Sequence, residues 1–343
     1  MRVGWYVHHH GAGHRTRASV LGEELGRRGH DVWLLGSSVG DASGPAGVAV
    51  PLPMDHPLED DVSEHRADVS AGGLLHWAPL RHNGLRRRMA GIARWVDEHR
   101  PDVFVVDVSS EVALLVRLLG IPVVLVAQPG DRRDSGHQSA LAAATAVLAP
   151  WPGWATGDLW RAGPSGDTGE DERVVAVGGV ARPAGPRRTA APDGIRRPRG
   201  LVLAGSEGFE HPGLADLVAT SVTDVDWTVA DGRTWLPDVS RLLSEADVVV
   251  THAGQNSIAE VAAAGVPAVV VPQRRPFDEQ DHMAQVLGES GLARVVDRES
   301  VVGTEWRDVV AEAIERGGRH WSQWETGGAV GRAASLVEEV ARA

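Results

Sequence analysis

Residues 248–271 read VVVTHAGQNSIAEVAAAGVPAVVV, which describes a strand, a tight turn, a helix and a second strand. The apolar runs at the two ends are typical of buried strands. Between them, Asn256 and Ser257 open a predicted helix, and Gly265 ends it. Unpaired backbone N–H groups and the positive end of the helix dipole gather at the start of such a helix. The stretch therefore predicts a phosphate pocket in the second half of the chain.

The polar residues at the start of this helix have two interpretations. Ser257 and Glu260 have the spacing of a capping box, which by itself indicates only a helix N-terminus. His252, Gly254 and Asn256 lie within one turn of the same point, behind a buried strand. A carboxylate such as Glu260 suits the hydroxyls of a ribose, and His252 and Ser257 can donate hydrogen bonds to a diphosphate. We favour a nucleotide site over the capping role alone.

The composition excludes several classes of function. The chain has 343 residues, which is typical of two domains, and a formal net charge of −12, which argues against nucleic acid as a partner. It has no cysteine, so disulfides, thiolate catalysis and cysteine-ligated zinc are excluded. It has no lysine either, which excludes a Walker phosphate loop and Schiff-base chemistry.

The sequence carries no clear membrane or targeting signal. No apolar run approaches the length of a membrane-spanning helix, and the N-terminus enters a strand without a signal-peptide layout. We therefore expect a cytoplasmic protein without an integral membrane segment. Arg86, Arg87 and Arg88 lie in a predicted amphipathic helix, where we expect a solvated basic face. A peripheral contact of that face with a lipid surface is the alternative.

Strand and helix patterns alternate along the whole chain. Predicted strands occupy residues 3–7, 31–35, 103–106, 123–126, 147–148, 174–177, 201–204, 227–229, 248–250 and 268–271. Predicted helices occupy residues 18–28, 83–98, 112–119, 212–220, 238–245, 257–264, 283–289, 306–317 and 329–343. This alternation predicts an α/β protein with doubly wound, Rossmann-like sheets.

A composition shift divides the chain. Residues 181–199 are rich in proline, glycine and arginine and predict a linker. We expect one domain at 1–180 and a second at 200–328. Because ligands bind beyond the carboxyl ends of the strands in open α/β sheets, we expect the site in a cleft between the two sheets.

The sequence HHHGAGH at 8–14 follows the first predicted strand and has three interpretations. A dinucleotide fingerprint would need a third glycine, which is missing. A metal site is disfavoured, because consecutive residues of an extended run point to opposite sides. The third is a catalytic histidine, His14, on a glycine-rich turn at the cleft. An imidazole titrates near neutral pH, which suits the abstraction of a proton from a hydroxyl.

Two further residues are candidates for this cleft. A histidine base needs a carboxylate to set its tautomer, and Asp107 ends the predicted strand 103–106 at the rim of the same sheet. The alternative is that Asp107 caps the next helix. Ser206 lies in the turn GSEG that follows the strand 201–204, where a plain glycine-rich turn is the alternative.

The residues from Trp235 to Ala284 resemble, in order and spacing, the nucleotide-sugar signature of GT-B glycosyltransferases, nearest to families 1 and 28. The shared pattern comprises Trp235, Pro237-Asp238, Leu242-Leu243, the run THAGQNS at 251–257, Glu260, Gly265-Val266-Pro267, and Glu279-Gln280 with Ala284. The resemblance implies two Rossmann-like domains that face each other across a cleft. It also implies that the last helix, 329–343, crosses back onto the first domain.

The resemblance implies a role for each residue of this pattern. The nucleotide base would contact Trp235 and Leu236, and the ribose would contact Glu260. The diphosphate would contact His252, Gly254, Asn256 and Ser257. The sugar hydroxyls would contact Glu279 and Gln280. Two positions depart from the family pattern. Asp238 stands where plant members carry glutamine, and Met283 where many members carry asparagine, which bears on the identity of the donor.

The N-terminal half carries the same resemblance. Gly13 and His14, with Arg17, resemble the first loop of these families, and also that of a nucleotide-sugar hydrolase in the same superfamily. The segment that ends in Asp107 resembles the one that supplies the carboxylate partner of the base. The turn at Ser206 is implied to touch the diphosphate.

These expectations combine into one predicted activity. We expect an inverting hexosyltransferase of secondary metabolism that moves a sugar from a UDP or TDP donor to an acceptor hydroxyl. The acceptor is expected to be a small molecule or lipid-linked, and neither a cofactor nor an obligatory metal is expected. The alternatives are a nucleotide-sugar hydrolase or epimerase on the same fold, and a non-catalytic nucleotide-sugar-binding protein.

Overall fold

A computed structural model describes residues 1–9, 11–40, 44–58, 67–162, 171–185, 197–205, 208–230 and 238–343. Within these residues the chain forms two separate parallel sheets and a short two-stranded one. The predicted α/β class and the two doubly wound domains are therefore confirmed.

The first sheet has seven strands in the order β3-β2-β1-β4-β5-β7-β9, and all its pairs are parallel. Its strands are β1 (Arg2–Tyr6), β2 (Asp31–Gly36), β3 (Val48–Pro51), β4 (Val103–Asp107), β5 (Val123–Val126), β7 (Ala146–Ala149) and β9 (Val174–Ala176). The short strands β6 (Gly130–Asp131) and β8 (Trp160–Arg161) pair with each other. The helices of this half are α1 (Gly13–Arg27), α2 (Asn83–His99), α3 (Ser110–Leu118), α4 (Ser135–Ala143) and α5 (Thr156–Leu159).

The second sheet has five parallel strands in the order β11-β10-β12-β13-β14. They are β10 (Arg199–Leu203), β11 (Asp226–Ala230), β12 (Val248–Thr251), β13 (Ala268–Val270) and β14 (Arg294–Val295). The helices of this half are α6 (Leu214–Ser221), α7 (Val239–Glu245), α8 (Gln255–Ala264), α9 (Glu279–Glu289) and α10 (Trp306–Arg316). The central strand β12 is fully buried, because helices cover both faces of the sheet.

The last helix, α11 (Ala329–Arg342), packs on the first domain. Its buried side chains, which include Ala333 and Val337, share one apolar cluster with strand β1 and helix α1. On the rim of this contact, Glu338 accepts hydrogen bonds from Arg28 (3.3 Å) and His30 (2.8 Å). The chain therefore begins and ends in the same domain.

Two helices begin about one turn before the predicted start, and the cap of a third was assigned to the wrong residue. Helix α1 begins at Gly13 instead of residue 18, and α9 begins at Glu279 instead of residue 283. Both missed turns are polar, so they lack the apolar periodicity on which the prediction depended. The capping box was also wrong, because Gly254 occupies the N-cap of α8 and Ser257 lies inside the helix.

The structure also contains elements that the sequence did not predict. Strand β3 lies at the edge of the first sheet and is only partly buried, so its apolar pattern is weak. Helix α4 reads SGHQSALAA, which has no pronounced apolar stripe. Helix α4 nevertheless contributes to the cleft, since it supplies His137 to its wall.

Candidate active site

A cavity of about 1060 Å³ lies between the carboxyl ends of the two sheets. Strands β1 and β4 of the first domain and β10 and β12 of the second end at its walls. The cavity therefore occupies the place in the fold where the sequence led us to expect a ligand.

The second domain builds its wall on the turn between β12 and α8. The backbone N–H of Gly254 donates to Nδ1 of His252 (3.0 Å), which folds the turn back on the imidazole. A Cβ atom at position 254 would lie 2.3 Å from Cε1 of His252, so the turn requires glycine. With its Nδ1 lone pair occupied, the neutral ring carries its proton on Nε2, 3.2 Å from Oγ of Ser257.

His252 is a neutral donor in this environment. Burial lowers the pKa of its imidazole to about 4, the charge of Arg275 contributes in the same direction, and the contact with Gln280 opposes it. At neutral pH the ring can therefore give a phosphate oxygen one hydrogen bond and no positive charge. Positive potential near the ring comes from the charge of Arg275 and from the N-terminus of α8.

Glu260 lies one turn further along α8 and is only 9% exposed. Its Oε1 atom accepts a hydrogen bond from Nε of Arg182 (2.6 Å). Arg182 belongs to the predicted linker and was not among the predicted site residues, because a lone arginine in a proline-rich segment carries no local signal. The pair leaves Oε2 of Glu260 as the oxygen that can accept from a ribose hydroxyl.

Glu279 and Gln280 occupy different environments. Oε1 of Gln280 accepts from the backbone N–H groups of Ala253 (3.1 Å) and Gln273 (2.9 Å), and its side chain is buried. Gln280 therefore connects the turn between β12 and α8 to the loop that contains Gln273. Glu279 instead reaches the first domain, where its carboxylate accepts from NH2 of Arg132 (2.5 Å).

Three predicted site residues lie outside the described residues. They are Ser206, Trp235 and Leu236. The implied contacts of the nucleotide base, and the contact of the Ser206 turn with the diphosphate, therefore stay predictions.

The first domain builds its wall on the start of helix α1. Because the helix begins at Gly13, His14 and Arg17 stand one turn apart on the same face. Both side chains reach Asp107, the last residue of β4. Nδ1 of His14 lies 2.9 Å from Oδ1 of Asp107, and Nε of Arg17 donates to Oδ2 (3.1 Å).

Asp107 is fully buried and ionised. Burial alone would raise the pKa of its carboxyl, but the charges of Arg17 and His14 and their hydrogen bonds outweigh it and hold that pKa well below its usual range. A carboxylate can only accept, so Nδ1 of His14 carries a proton and the lone pair of the neutral ring is on Nε2. The alternative that Asp107 caps the next helix is wrong, since Ser109 caps helix α3 by accepting a hydrogen bond from the N–H of Val112 (3.2 Å).

The two walls touch where the diphosphate is expected. Nδ2 of Asn256 donates to the carbonyl oxygen of Gly13 (2.5 Å). A Cβ atom at position 13 would lie 2.7 Å from the same nitrogen, so a larger residue there would displace the Asn256 amide. Asn256 thus connects the start of α8 to the start of α1.

A second histidine cluster lines the same cavity and was not predicted. Nε2 of His76 lies 2.7 Å from Oδ1 of Asp134, and Nδ1 of His137 contacts Oδ2 of the same carboxylate. Nδ1 of His76 is 3.3 Å from the hydroxyl of Ser110, and Nε2 of His137 is 3.1 Å from NH1 of Arg132. The residues come from three segments of the chain, so no local motif announced them.

Hydrogen bonding accounts for this cluster. The imidazole and carboxylate atoms of its three members lie within 4.8 Å of one another, a spacing that could hold a metal ion. However, NH1 of Arg132 faces Nε2 of His137, so the neutral ring carries its proton on Nδ1, the atom that a cation would need. The observed contacts therefore match a proton-bridged cluster better than a metal site.

The expectation that Arg88 lies on a solvated basic face of helix α2 was wrong. Its side chain is fully buried, donates to the hydroxyl of Tyr6 (2.5 Å) and pairs with Asp55 (3.1 Å). Arg86 and Arg87 remain on the surface. Within the described residues, none of the helices combines the length and the apolarity needed to cross a bilayer.

Comparisons with known proteins match this geometry. Residues 219–317 match the model of the glycosyltransferase family 28 C-terminal domain. A UDP-N-acetylglucosamine--N-acetylmuramyl-(pentapeptide) pyrophosphoryl-undecaprenol N-acetylglucosamine transferase of Ralstonia nicotianae is 29% identical over 326 residues, which cover 87% of this chain and 84% of that protein. The protein of the same name from Solibacter usitatus is 35% identical over 114 residues, 32% of this chain and 31% of that protein.

A solved structure extends the similarity to both domains. The crystal structure of the glycotransferase of kitacinnamycin has a TM-score of 0.74 at 21% identity, and the match covers 99% of this chain and 98% of that one. At this identity the likeness concerns the fold. The two sheets and the cleft between them are thus arranged as in that structure.

Proposed function

This chain is a GT-B glycosyltransferase related to families 1 and 28, and on that premise we propose that it transfers a sugar from a nucleoside diphosphate to an acceptor hydroxyl, with His14 as the general base. One observation carries the proposal. His14, 2.9 Å from the buried carboxylate of Asp107, lies on the same cavity as the N-terminus of α8. A base and an anion site therefore share one cleft.

The donor half of the cavity fits the leaving nucleotide. The backbone N–H groups at the start of α8 receive the diphosphate, with hydrogen bonds from Nε2 of His252 or Oγ of Ser257. Oε2 of Glu260 accepts from the ribose, while Arg182 holds the other oxygen. Negative charge that develops on the leaving diphosphate is stabilised by the helix terminus, so we propose that no metal is required.

The acceptor half supplies the base. A hydroxyl placed against Nε2 of His14 gives its proton to that nitrogen while its oxygen bonds to the anomeric carbon. The bond from the anomeric carbon to the diphosphate oxygen breaks, and its electrons leave with the nucleotide. Asp107 stabilises the imidazolium that forms. Attack from the side opposite the leaving group inverts the anomeric configuration.

The charges of the cleft bear on the acceptor. Among the described cavity residues, the first domain contributes two arginines, Arg17 and Arg132, and both are already paired with carboxylates, Asp107 and Glu279. The relative from Ralstonia nicotianae is named for a pyrophosphoryl-undecaprenol acceptor. Because neither of these arginines offers an uncompensated charge to a second pyrophosphate, we propose an uncharged small-molecule acceptor here and keep the lipid-linked acceptor as the alternative.

The donor and the setting of the reaction are also proposals. We propose a UDP or TDP hexose as donor, and the name of the relative, a UDP-N-acetylglucosamine enzyme, supports UDP. We further propose a cytoplasmic enzyme of secondary metabolism. Thermal-shift screening against UDP, TDP and GDP sugars tests the donor, since a ligand selective for the native state raises the melting temperature.

Acceptor assays test the transfer itself. The purified protein and its preferred donor are incubated with small hydroxylated aromatic compounds and with polyprenyl-pyrophosphoryl acceptors, and the products are weighed by mass spectrometry. The His14→Ala variant should lose transfer and keep nucleotide binding, while His320→Ala, at an exposed histidine, should resemble the wild type. Release of free sugar without an acceptor would identify a hydrolase instead.

A further inference from the structure

Arg17 is the most connected side chain between the two walls of the cleft. Its side chain is 1% exposed. Two nitrogens face Asp107, with Nε at 3.1 Å from Oδ2 and NH2 at 2.8 Å from Oδ1. The third, NH1, donates across the cleft to Oε1 of Gln255 (2.6 Å) and lies 3.5 Å from Oδ1 of Asn256.

These contacts commit the guanidinium to the protein. Its planar fork matches the Asp107 carboxylate, which also neutralises its charge. Each of its three nitrogens has a protein acceptor, Asp107 compensates the charge, and NH2 also lies 3.3 Å from Nδ1 of His14. The arrangement is that of a connector between elements.

The elements that Arg17 joins are the two that the reaction needs. Asp107 orients the imidazole of His14, which lies one turn before Arg17 on α1. Gln255 and Asn256 are the first two residues of α8, whose N-terminus is the proposed diphosphate site. A single side chain thus spans the distance from the donor helix to the carboxylate partner of the base.

We propose that Arg17 is a positioning residue that makes the alignment of the His14–Asp107 pair depend on the position of helix α8. This inference rests on the proposed function. When α8 is held against the bound donor, NH1 of Arg17 is fixed by Gln255, and the other two nitrogens fix the carboxylate that orients His14. When α8 moves away, the carboxylate loses its outer support. The base is therefore set for catalysis when the donor helix is in place.

A double-mutant cycle tests the connection. Arg17→Gln should lower kcat by about 10- to 100-fold, since small errors in the placement of catalytic groups cost about that much. Gln255→Ala removes only the contact across the cleft and should lower kcat about 5- to 10-fold. If the two residues act as one connection, the double variant should have the kcat of Arg17→Gln alone.

A change in kcat without a change in the Kd of the nucleoside diphosphate would distinguish a positioning residue from a phosphate ligand. In both single variants the Kd of the nucleoside diphosphate, measured by calorimetry, should stay within about 3-fold of the wild type, because the inference gives Arg17 no phosphate contact. Arg15→Gln is the matched control, since Arg15 is an exposed arginine on the same turn of α1. Its kcat should equal that of the wild type.

Each contrary result has one meaning. Additive losses in the cycle, or an unchanged kcat in Gln255→Ala, would overturn the connection. A rise of more than about 10-fold in the nucleotide Kd of Arg17→Gln would make Arg17 a diphosphate ligand instead. If Arg17→Gln fails to fold, Gln255→Ala still decides, because it keeps the buried ion pair. Retained transfer in His14→Ala would refute the proposed function itself, a result distinguishable from all of these.

Discussion

Two histidine–aspartate clusters line the same cavity, and we propose that only one of them supplies the base. In the first, Asp107 is fully buried and is held by Arg17 as well as by His14. In the second, the side chain of Asp134 is 37% exposed and is shared by two histidines. The difference shows that proximity of histidine to aspartate does not by itself make a base.

The protons explain the difference. In the second cluster both nitrogens of each neutral ring have partners within the protein, since His76 also faces Ser110 and His137 also faces Arg132. Burial and the charge of Arg132 lower the pKa of His137 to about 4, against the contact with Asp134, so its ring is a weak base. His14 lines the cavity and donates from Nδ1 to Asp107, which leaves the lone pair of its neutral ring on Nε2. We therefore interpret the second cluster as a scaffold that holds Arg132 against Glu279.

The largest expected effect separates the clusters directly. His14→Ala should lower kcat by about 10²- to 10⁴-fold, the range that general-base catalysis contributes. His137→Ala and His76→Ala should lower it less than about 10-fold, because they disturb only the support of Arg132. Steady-state kinetics on the three variants makes the comparison. If a variant of the second cluster lost as much activity as His14→Ala, our choice of base would be wrong.

The next effect depends on one proton. In Asp107→Asn, the amide oxygen must accept from Arg17, which turns the NH2 group toward Nδ1 of His14. The ring then accepts at Nδ1 and carries its proton on Nε2, where it cannot take one from the acceptor. We expect a loss in kcat of about 10²-fold or more.

The matched variant is Asp134→Asn. Its carboxylate orients no base, so its kcat should stay within about 3-fold of the wild type. Folding of both variants is checked by circular dichroism and by nucleotide binding. Equal losses in the two variants would mean that both carboxylates serve the reaction in the same way.

The donor half of the site could be predicted from sequence because it is local. His252, Gly254, Asn256, Ser257 and Glu260 lie within nine consecutive positions, so a strand-turn-helix pattern places them together before any tertiary contact is known. The two glycines that make close contacts here, Gly13 and Gly254, belong to the predicted motifs for the same reason.

The rest of the site depends on contacts between distant segments. His14 and Asp107 are 93 residues apart, and their pairing was a hypothesis from strand order that the structure now supports with a distance. Arg132 and Arg182 belong to no sequence pattern. Only their contacts with Glu279 and Glu260 in the structure identify them as residues of the site. Arg17 belonged to the predicted loop motif with Gly13 and His14. Its contact with α8 joins the two domains, so the sequence of neither domain alone could predict it.

A smaller effect tests the scaffold. Arg132→Gln removes the charged hydrogen bond to Glu279 and should raise the KM for the donor sugar about 3- to 10-fold, with little change in kcat. The Kd of the free nucleoside diphosphate should not change, since Glu279 is proposed to meet the sugar. The control is Arg133→Gln, whose arginine is half exposed and pairs with Asp131. A loss confined to kcat would contradict the proposed role of the second cluster.

The smallest expected effect concerns stability and pH. His137 is largely buried and its pKa falls to about 4, whereas the unfolded chain binds its proton near pH 6.5. Between these values the unfolded state binds more protons than the native state, so stability should decrease as pH falls from about 6.5 to about 4. His252, with a pKa of about 4 as well, adds to the same slope.

This slope can be divided between the two walls of the cleft. His137→Gln should flatten the fall of the melting temperature between about pH 6.5 and 4 by a few degrees, because glutamine has no proton to gain. The part due to His252 should remain, and the exposed control His320→Gln should leave the whole slope intact. If His137→Gln did not flatten the slope, His137 would already be protonated in the native state. Nε2 would then be a donor facing the guanidinium of Arg132, and the scaffold interpretation would lose the proton arrangement on which it depends.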